Sequence, residues 1–180
     1  MGTLLSSCTY LKACIDETMR ISPPVGSALY REVEAGGATI DGMYIPAGID
    51  IGTAIYSIHH NPDYYPDPFE FKPERWLLNP EAGVTQDDVA LAQSAFNPFS
   101  LGPRGCIGRG LAMLEMQLLI ATIIYEFDFK SAGQLGEGKA GDVLGREKPW
   151  EFQLYDHVTA AKHGPLVQFR RRAAPVDVAD

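Results

Sequence analysis

Near the start of the chain, Leu11, Cys14, Ile15 and Thr18 stand at i, i+3, i+4 and i+7, one face at helical period. This predicts a helix from Ser7 to Arg20, capped by Ser6 or Ser7. Ser22-Pro23-Pro24 ends it, because proline lacks an N–H and restricts the residue before it. Ala28 to Val33 and Ile49 to Tyr56 read as strands of a small sheet. Between them, Ala38-Thr39-Ile40 and Met43-Tyr44-Ile45 flank Asp41-Gly42, a two-residue hairpin signal, and Pro46-Ala47-Gly48 makes another turn. Asn61 to Pro73 is a proline-aromatic loop, and Leu77 to Ala92 reads as a polar, acidic surface excursion. A Gly- and Pro-rich stretch from Phe96 to Gly110 leads into an apolar helix, Ile107 to Phe127, roughly 30 Å long at 1.5 Å per residue. Its Leu118 to Tyr125 run is expected in the core. Ser131 to Gly141 is a Gly-rich loop. Phe152 to Val158 and Leu166 to Arg170 are expected to close the chain as a hairpin around Ala160 to Gly164.

The fold class expected is mainly α with small β-sheets, within about one domain of 180 residues. A hydrophobic share of 46% argues against disorder. The net charge of -8 disfavours nucleic acid as a partner. Three cysteines are too few for a disulfide-built scaffold. No apolar run reaches the roughly 18 residues of a membrane span, and no signal-peptide pattern opens the chain.

The chemistry concentrates in Phe99-Ser100-Leu101-Gly102-Pro103-Arg104-Gly105-Cys106-Ile107-Gly108. Cys106 lies just before the longest helix, where unpaired N–H groups and the helix dipole favour an anion. A thiolate there is stabilised and available to a metal. Gly102, Gly105 and Gly108 let a flat group approach the backbone. Arg104 offers a forked donor for a carboxylate. Together these suit haem, with one iron to ligate and two propionates to neutralise.

Phe99, Gly102, Arg104, Cys106 and Gly108 match, without insertion, the F-x-x-G-x-R-x-C-x-G signature of the cytochrome P-450 family, which this chain resembles. Five such positions recur by chance with odds on the order of 10⁻⁵ in a chain this long. Glu17-Thr18-Met19-Arg20 is similar to the family's E-x-x-R, and Pro73-Glu74-Arg75-Trp76 to its P-E-R-F/W, in the family's order. The resemblance implies haem b with Cys106 as axial ligand, Arg104 and Arg31 on the propionates, and Phe99 packed near the sulfur. It implies a structural salt-bridge network of Glu17, Arg20 and Arg75. Val25, Ser27 and Ala28, with the turn from Thr159 to His163, are expected to face substrate.

The activity implied is insertion of one oxygen atom from O₂ into a small organic substrate, with electrons from NADPH through cytochrome P-450 reductase. The segments from Tyr56 to Trp76 and from Glu151 to Arg172 resemble filamentous-fungal, microsomal members of secondary or aromatic metabolism. Such relatives are held at the endoplasmic reticulum membrane by an N-terminal part that nothing here resembles. The motifs are those of a C-terminal piece, the proximal haem-binding part of the fold. An incomplete chain of this kind is expected to be inactive alone; the alternative is a non-catalytic remnant. Met1-Gly2 fits a loose myristoylation pattern but reads better as an accidental start.

Other features are read as structural. His59-His60 is taken as a strand-end pair with one structural hydrogen bond, since no metal-spaced cluster accompanies it. Cys8 and Cys14, about 9 Å apart along one helix, lie beyond disulfide reach and are read as packing.

Overall fold

The computed structural model describes residues 7–132, 155–162 and 164–173. The expected cap at Ser6, most of the Gly-rich loop, residues 152–154 and His163 lie outside them. Helix α1 (Thr9–Ile21) ends where the prolines require, with the Ser22 N–H returning to Thr18 O at 2.9 Å. Cys8 stands at its N-cap without a side-chain cap bond. The buried positions are Ala13, Ile15, Asp16, Glu17, Met19 and Arg20, whereas Leu11 and Cys14 are half-buried and Thr18 is exposed. The inward face is therefore rotated from the apolar one. The reason is that the charges of Glu17 and Arg20 are paired inside.

Strand β1 (Arg31–Glu32) pairs antiparallel with β4 (Asp50–Ile51), and β2 (Ala38–Ile40) with β3 (Met43–Ile45). Asp41 and Gly42 both take positive φ, 48° and 78°, as a hairpin turn of this length demands. The expected strand from Ile49 to Tyr56 is corrected beyond Ile51. Ala54 bridges Ala28, and helix α2 (Ile55–His59) begins directly after it, burying Ile55 and His59. His59-His60 therefore closes a helix rather than a strand.

The surface excursion is also corrected. Helix α3 (Gln86–Ser94) opens on a capping box between Thr85 and Asp88 and buries Val89 and Ala92, one turn apart. Ala92 joins Ala13, Tyr65, Trp76 and Ala95 in one core cluster, with Ile58, Leu77 and Phe96 packed against it. Tyr65 donates its hydroxyl to Ala92 O at 2.9 Å, so the ring can be fully buried.

Helix α4 (Arg109–Glu126) packs on α1 and runs into β5 (Phe127–Ser131). None of its residues is buried; Leu119 is 62% and Ile124 47% exposed. The expectation that Leu118 to Tyr125 form core is thus wrong for this chain, because the described residues cover only one side of a helix that is apolar all round. It is still not a membrane span: among the described residues no helix is long and apolar enough to cross a bilayer.

The closing hairpin is corrected as well. Strand β6 (Tyr155–His157) pairs with β7 (Thr159–Ala161) across Val158, while β8 (Val167–Arg171) pairs with β5. Ion pairs and an aromatic pair accompany the second pairing. Arg170 and Arg172 both reach Asp128, at 2.9 and 3.0 Å, and Phe129 lies opposite Phe169.

Candidate functional site

The cysteine loop folds back on itself. Ser100 donates its N–H to Asn97 O at 3.0 Å, and Cys106 donates to Phe99 O at 2.8 Å. Between them a 3₁₀ turn, Gly102–Arg104, is entered through Gly102 at φ 64° and closed by Gly105 N–H on Gly102 O at 3.0 Å. Gly102 is needed for that φ, and a Cβ on Gly105 would come within 3.2 Å of Gly102 O. The closure presents Cys106 at the surface, three residues ahead of α4, with its carbonyl accepting from Arg109 N at 3.3 Å. No acidic residue occupies the first turn of α4 to oppose a thiolate. A Cβ on Gly108 would lie 3.7 Å from Cys106 Sγ, so glycine leaves the flank of the sulfur open.

Arg104 is exposed on this loop. Arg31 and Ser100 line one cavity of about 610 Å³, together with Asn97, Leu29, Ile51 and Ile55. Arg31 Nη1 donates to Tyr30 O and Leu29 O at 2.7 and 3.3 Å, which holds its guanidinium against its own strand. One soft donor, two guanidinium groups and the exposed apolar side chains Leu101 and Ile107 fit a flat apolar macrocycle bearing a metal and two carboxylates. Val25, Ser27 and Ala28 are half-buried between α1 and β1 and do not line this cavity. The Pro24 carbonyl accepts Ala160 N–H, which brings β7 against the same segment.

Behind the loop, Glu17 and Arg20 form a fully buried pair. Arg20 Nε and Nη2 donate to the two Glu17 oxygens, each at 2.9 Å. Its other donors reach His59 O, Pro68 O and Glu70 O at 2.8, 2.7 and 3.2 Å. Glu17 also accepts from Arg75 Nε at 3.1 Å, the Lys72 N–H at 2.9 Å and Trp76 Nε1 at 3.0 Å. Burial pushes the Glu17 carboxyl up, but hydrogen bonds from Arg20 and Lys72 and the charges of Arg20 and Arg75 outweigh it and hold it below the ordinary range. The sequence motifs contain Glu17, Arg20 and Arg75; the Trp76 donor was missed, although it adjoins Arg75 in the same motif.

His59, read from the sequence as one of a pair with a structural hydrogen bond, has that bond, but to a residue of the segment before the cysteine. Its ring is fully buried, stacked on Phe96 at 5.4 Å and edge-on to Tyr65 at 6.3 Å. Asn97 donates its main-chain N–H to Nε2 at 3.2 Å, and the Asn97 side chain lies 3.1 Å from the same atom. Burial lowers the imidazole pKa to about 4; the Asn97 contact opposes this, while the charges of Arg20 and His60 add to it. The unfolded chain thus binds a proton near pH 6.5 that the folded chain refuses until about 4. Stability is full above pH 6.5 and falls by about 3 kcal/mol as pH drops through this window. The urea midpoint should fall from pH 7 to 4.5 and do so less in His59→Gln; equal slopes in the two proteins would refute the assignment.

Residues 3–149 match the family model described as cytochrome P-450. A cytochrome P-450 monooxygenase of Gibberella zeae is 52% identical over 176 residues, covering 96% of this chain and 39% of its own length. One of Gibberella fujikuroi is 51% identical over 175 residues, covering 96% of this chain and 46% of its own. A third, from Alternaria alternata, is 48% identical, covering 95% and 34%. The chain therefore spans between a third and a half of the length of these relatives. The family is one of haem-thiolate proteins that use O₂, a substrate and a redox partner. With its cysteine loop, its buried Glu17–Arg20–Arg75 network and these likenesses, the chain belongs to the cytochrome P-450 family.

Proposed function

We propose that Cys106 is the axial thiolate ligand of haem b, and that the whole protein is a monooxygenase of a small organic substrate. The observation that carries this is the exposed Cys106, presented by a loop closed through Phe99 O and flanked by Gly108. When bound, the haem activates O₂ for insertion of one oxygen atom, and thiolate ligation favours O–O cleavage, as is general for haem enzymes of this kind. As that ligand, Cys106 would lie just ahead of α4, where free helix N–H groups favour an anion. Arg104 and Arg31 bind the two propionates. Phe99 would pack near the sulfur once the haem is bound, and Gly102 and Gly108 leave the backbone low enough for close approach. Glu17, Arg20 and Arg75 are structural; they hold the segment from Pro66 to Trp76 against α1.

Val25, Ser27 and Ala28, with the turn at Thr159, are the residues of this chain that contact substrate. The chain forms one part of a larger cytochrome P-450 domain. In the whole protein, electrons come from NADPH through cytochrome P-450 reductase at the endoplasmic reticulum membrane. The relatives, fungal cytochrome P-450 monooxygenases, support the monooxygenase reading, and a role in secondary metabolism is part of the same proposal.

Haem titrated against the chain, and against the product of the native transcript, tests the ligand assignment. One haem per protein is expected, with a thiolate-type spectrum in the reduced carbon monoxide complex. Saturable binding without that signature in either protein overturns it.

A further inference from the structure

His59 stands where two parts of the structure meet. Its main-chain oxygen accepts from Arg20, and its ring reaches Asn97, 38 positions further along the chain. Asn97 is the first residue of the cysteine loop, and its carbonyl accepts Ser100 N–H at 3.0 Å. Phe99, between them, receives Cys106 N–H at 2.8 Å. An unbroken path of hydrogen bonds and two peptide links thus runs from the buried ionic pair to the backbone of Cys106.

Both polar contacts of the ring go through Nε2. It lies 3.2 Å from the Asn97 main-chain N and 3.1 Å from Asn97 Oδ1, so either neutral tautomer holds Asn97, by accepting from the N–H or by donating to Oδ1. Nδ1 is buried and has no hydrogen-bond partner among the described residues. A protonated ring would leave a buried N–H, and its share of the charge, without an acceptor at Nδ1 among the described residues. The neutral ring is also clamped sideways by Phe96 and Tyr65. A side chain so confined has one orientation, and its Nε2 marks one place for Asn97.

We propose that His59 is a positioning residue for the cysteine loop: its neutral imidazole tethers Asn97 to the buried core and so sets the place at which Cys106 is presented. The tether is independent of any cofactor. Its consequence for metal ligation rests on the reading of Cys106 given above.

Amide hydrogen exchange of the chain without haem tests the tether itself. His59→Phe keeps the ring stacking and removes Nε2; His59→Gln returns a polar group that can accept or donate. Exchange at Ser100 and Cys106 should accelerate about five- to tenfold in His59→Phe relative to the amides of α1, and recover in His59→Gln. Loop amides that keep the parental rate, or that change only by the factor seen across α1, would leave His59 a packing residue and defeat the proposal. Should His59→Phe fail to fold, Asn97→Ala, at a half-buried position, removes the Oδ1 contact to Nε2 and leaves the main-chain one, so a smaller acceleration is expected. It should also accelerate Ser100 and Cys106 selectively, and uniform exchange would again count against the tether.

With haem added at equal occupancy, the share of thiolate-type signal in the reduced carbon monoxide complex should fall in His59→Phe and return in His59→Gln. A faster loop with an unchanged thiolate signal would overturn the positioning role while leaving Cys106 as ligand. Absence of that signal from the parent, with the loop exchanging as expected, would instead refute the ligand reading alone.

Discussion

Arg20→Met lowers the unfolding free energy by about 3–5 kcal/mol, the range for breaking a buried ion pair by removing one partner. Methionine fills much of the same space, so the loss is electrostatic. It strands the carbonyls of His59, Pro68 and Glu70 in the interior and leaves Glu17, fully buried, with only Arg75 as a charged partner. A domain of this size has about 5–15 kcal/mol in total, so the variant should be largely unfolded at moderate urea where the parent is native. Arg170→Met is the control. Its partner Asp128 is 45% exposed and Arg170 itself 83%, and such surface pairs contribute about 1 kcal/mol or less. Urea unfolding followed by far-ultraviolet circular dichroism decides the matter. Equal midpoints for the two variants would falsify the view that Glu17–Arg20 holds the Pro66–Trp76 segment in place.

What was legible in the sequence was whatever is local. The proline stop after α1, the Asp41-Gly42 turn and the cysteine loop each lie within a few consecutive residues, and each carries its physical cause with it. The inward face of α1 was not legible from hydropathy, because Glu17 and Arg20 score as solvent-facing and are inside only through partners 39 to 59 positions away. Motif resemblance recovered those two charges where periodicity pointed elsewhere. The short helix at Ile55–His59 fails for a related reason. Its β-branched residues suggest a strand, but five residues are too few to show a helical period, and the element is decided by Tyr56 N–H bonding Gly26 O and by burial of His59. Strand partners at the end of the chain depended on Asp128 and on Phe129, which local alternation cannot see. The tie between His59 and Asn97 likewise has no local signature at all.

Cys106→Ser removes the thiolate-type signature of the haem-loaded protein completely while leaving the fold nearly untouched. The separation of the two effects follows from the loop geometry. The bond that shapes the loop comes from the Cys106 main-chain N–H, which serine retains, and the sulfur is exposed, so the change in unfolding free energy stays within about 0.5 kcal/mol. Serine, with the same shape, offers no soft anion at neutral pH and therefore no equivalent ligand. The other cysteines do not substitute for it. Cys14 is half-buried in α1, where burial first and the Glu74 charge second push its thiol up, away from the thiolate form. Cys8 sits at the N-cap of the same helix, outside the glycine-lined loop. The comparison needs Cys8→Ser and Cys14→Ser alongside, each expected to keep the full thiolate signal. Retention of that signal in Cys106→Ser, with loss in either of the others, would move the metal to α1 and leave the arginines at positions 31 and 104 without a role in holding it.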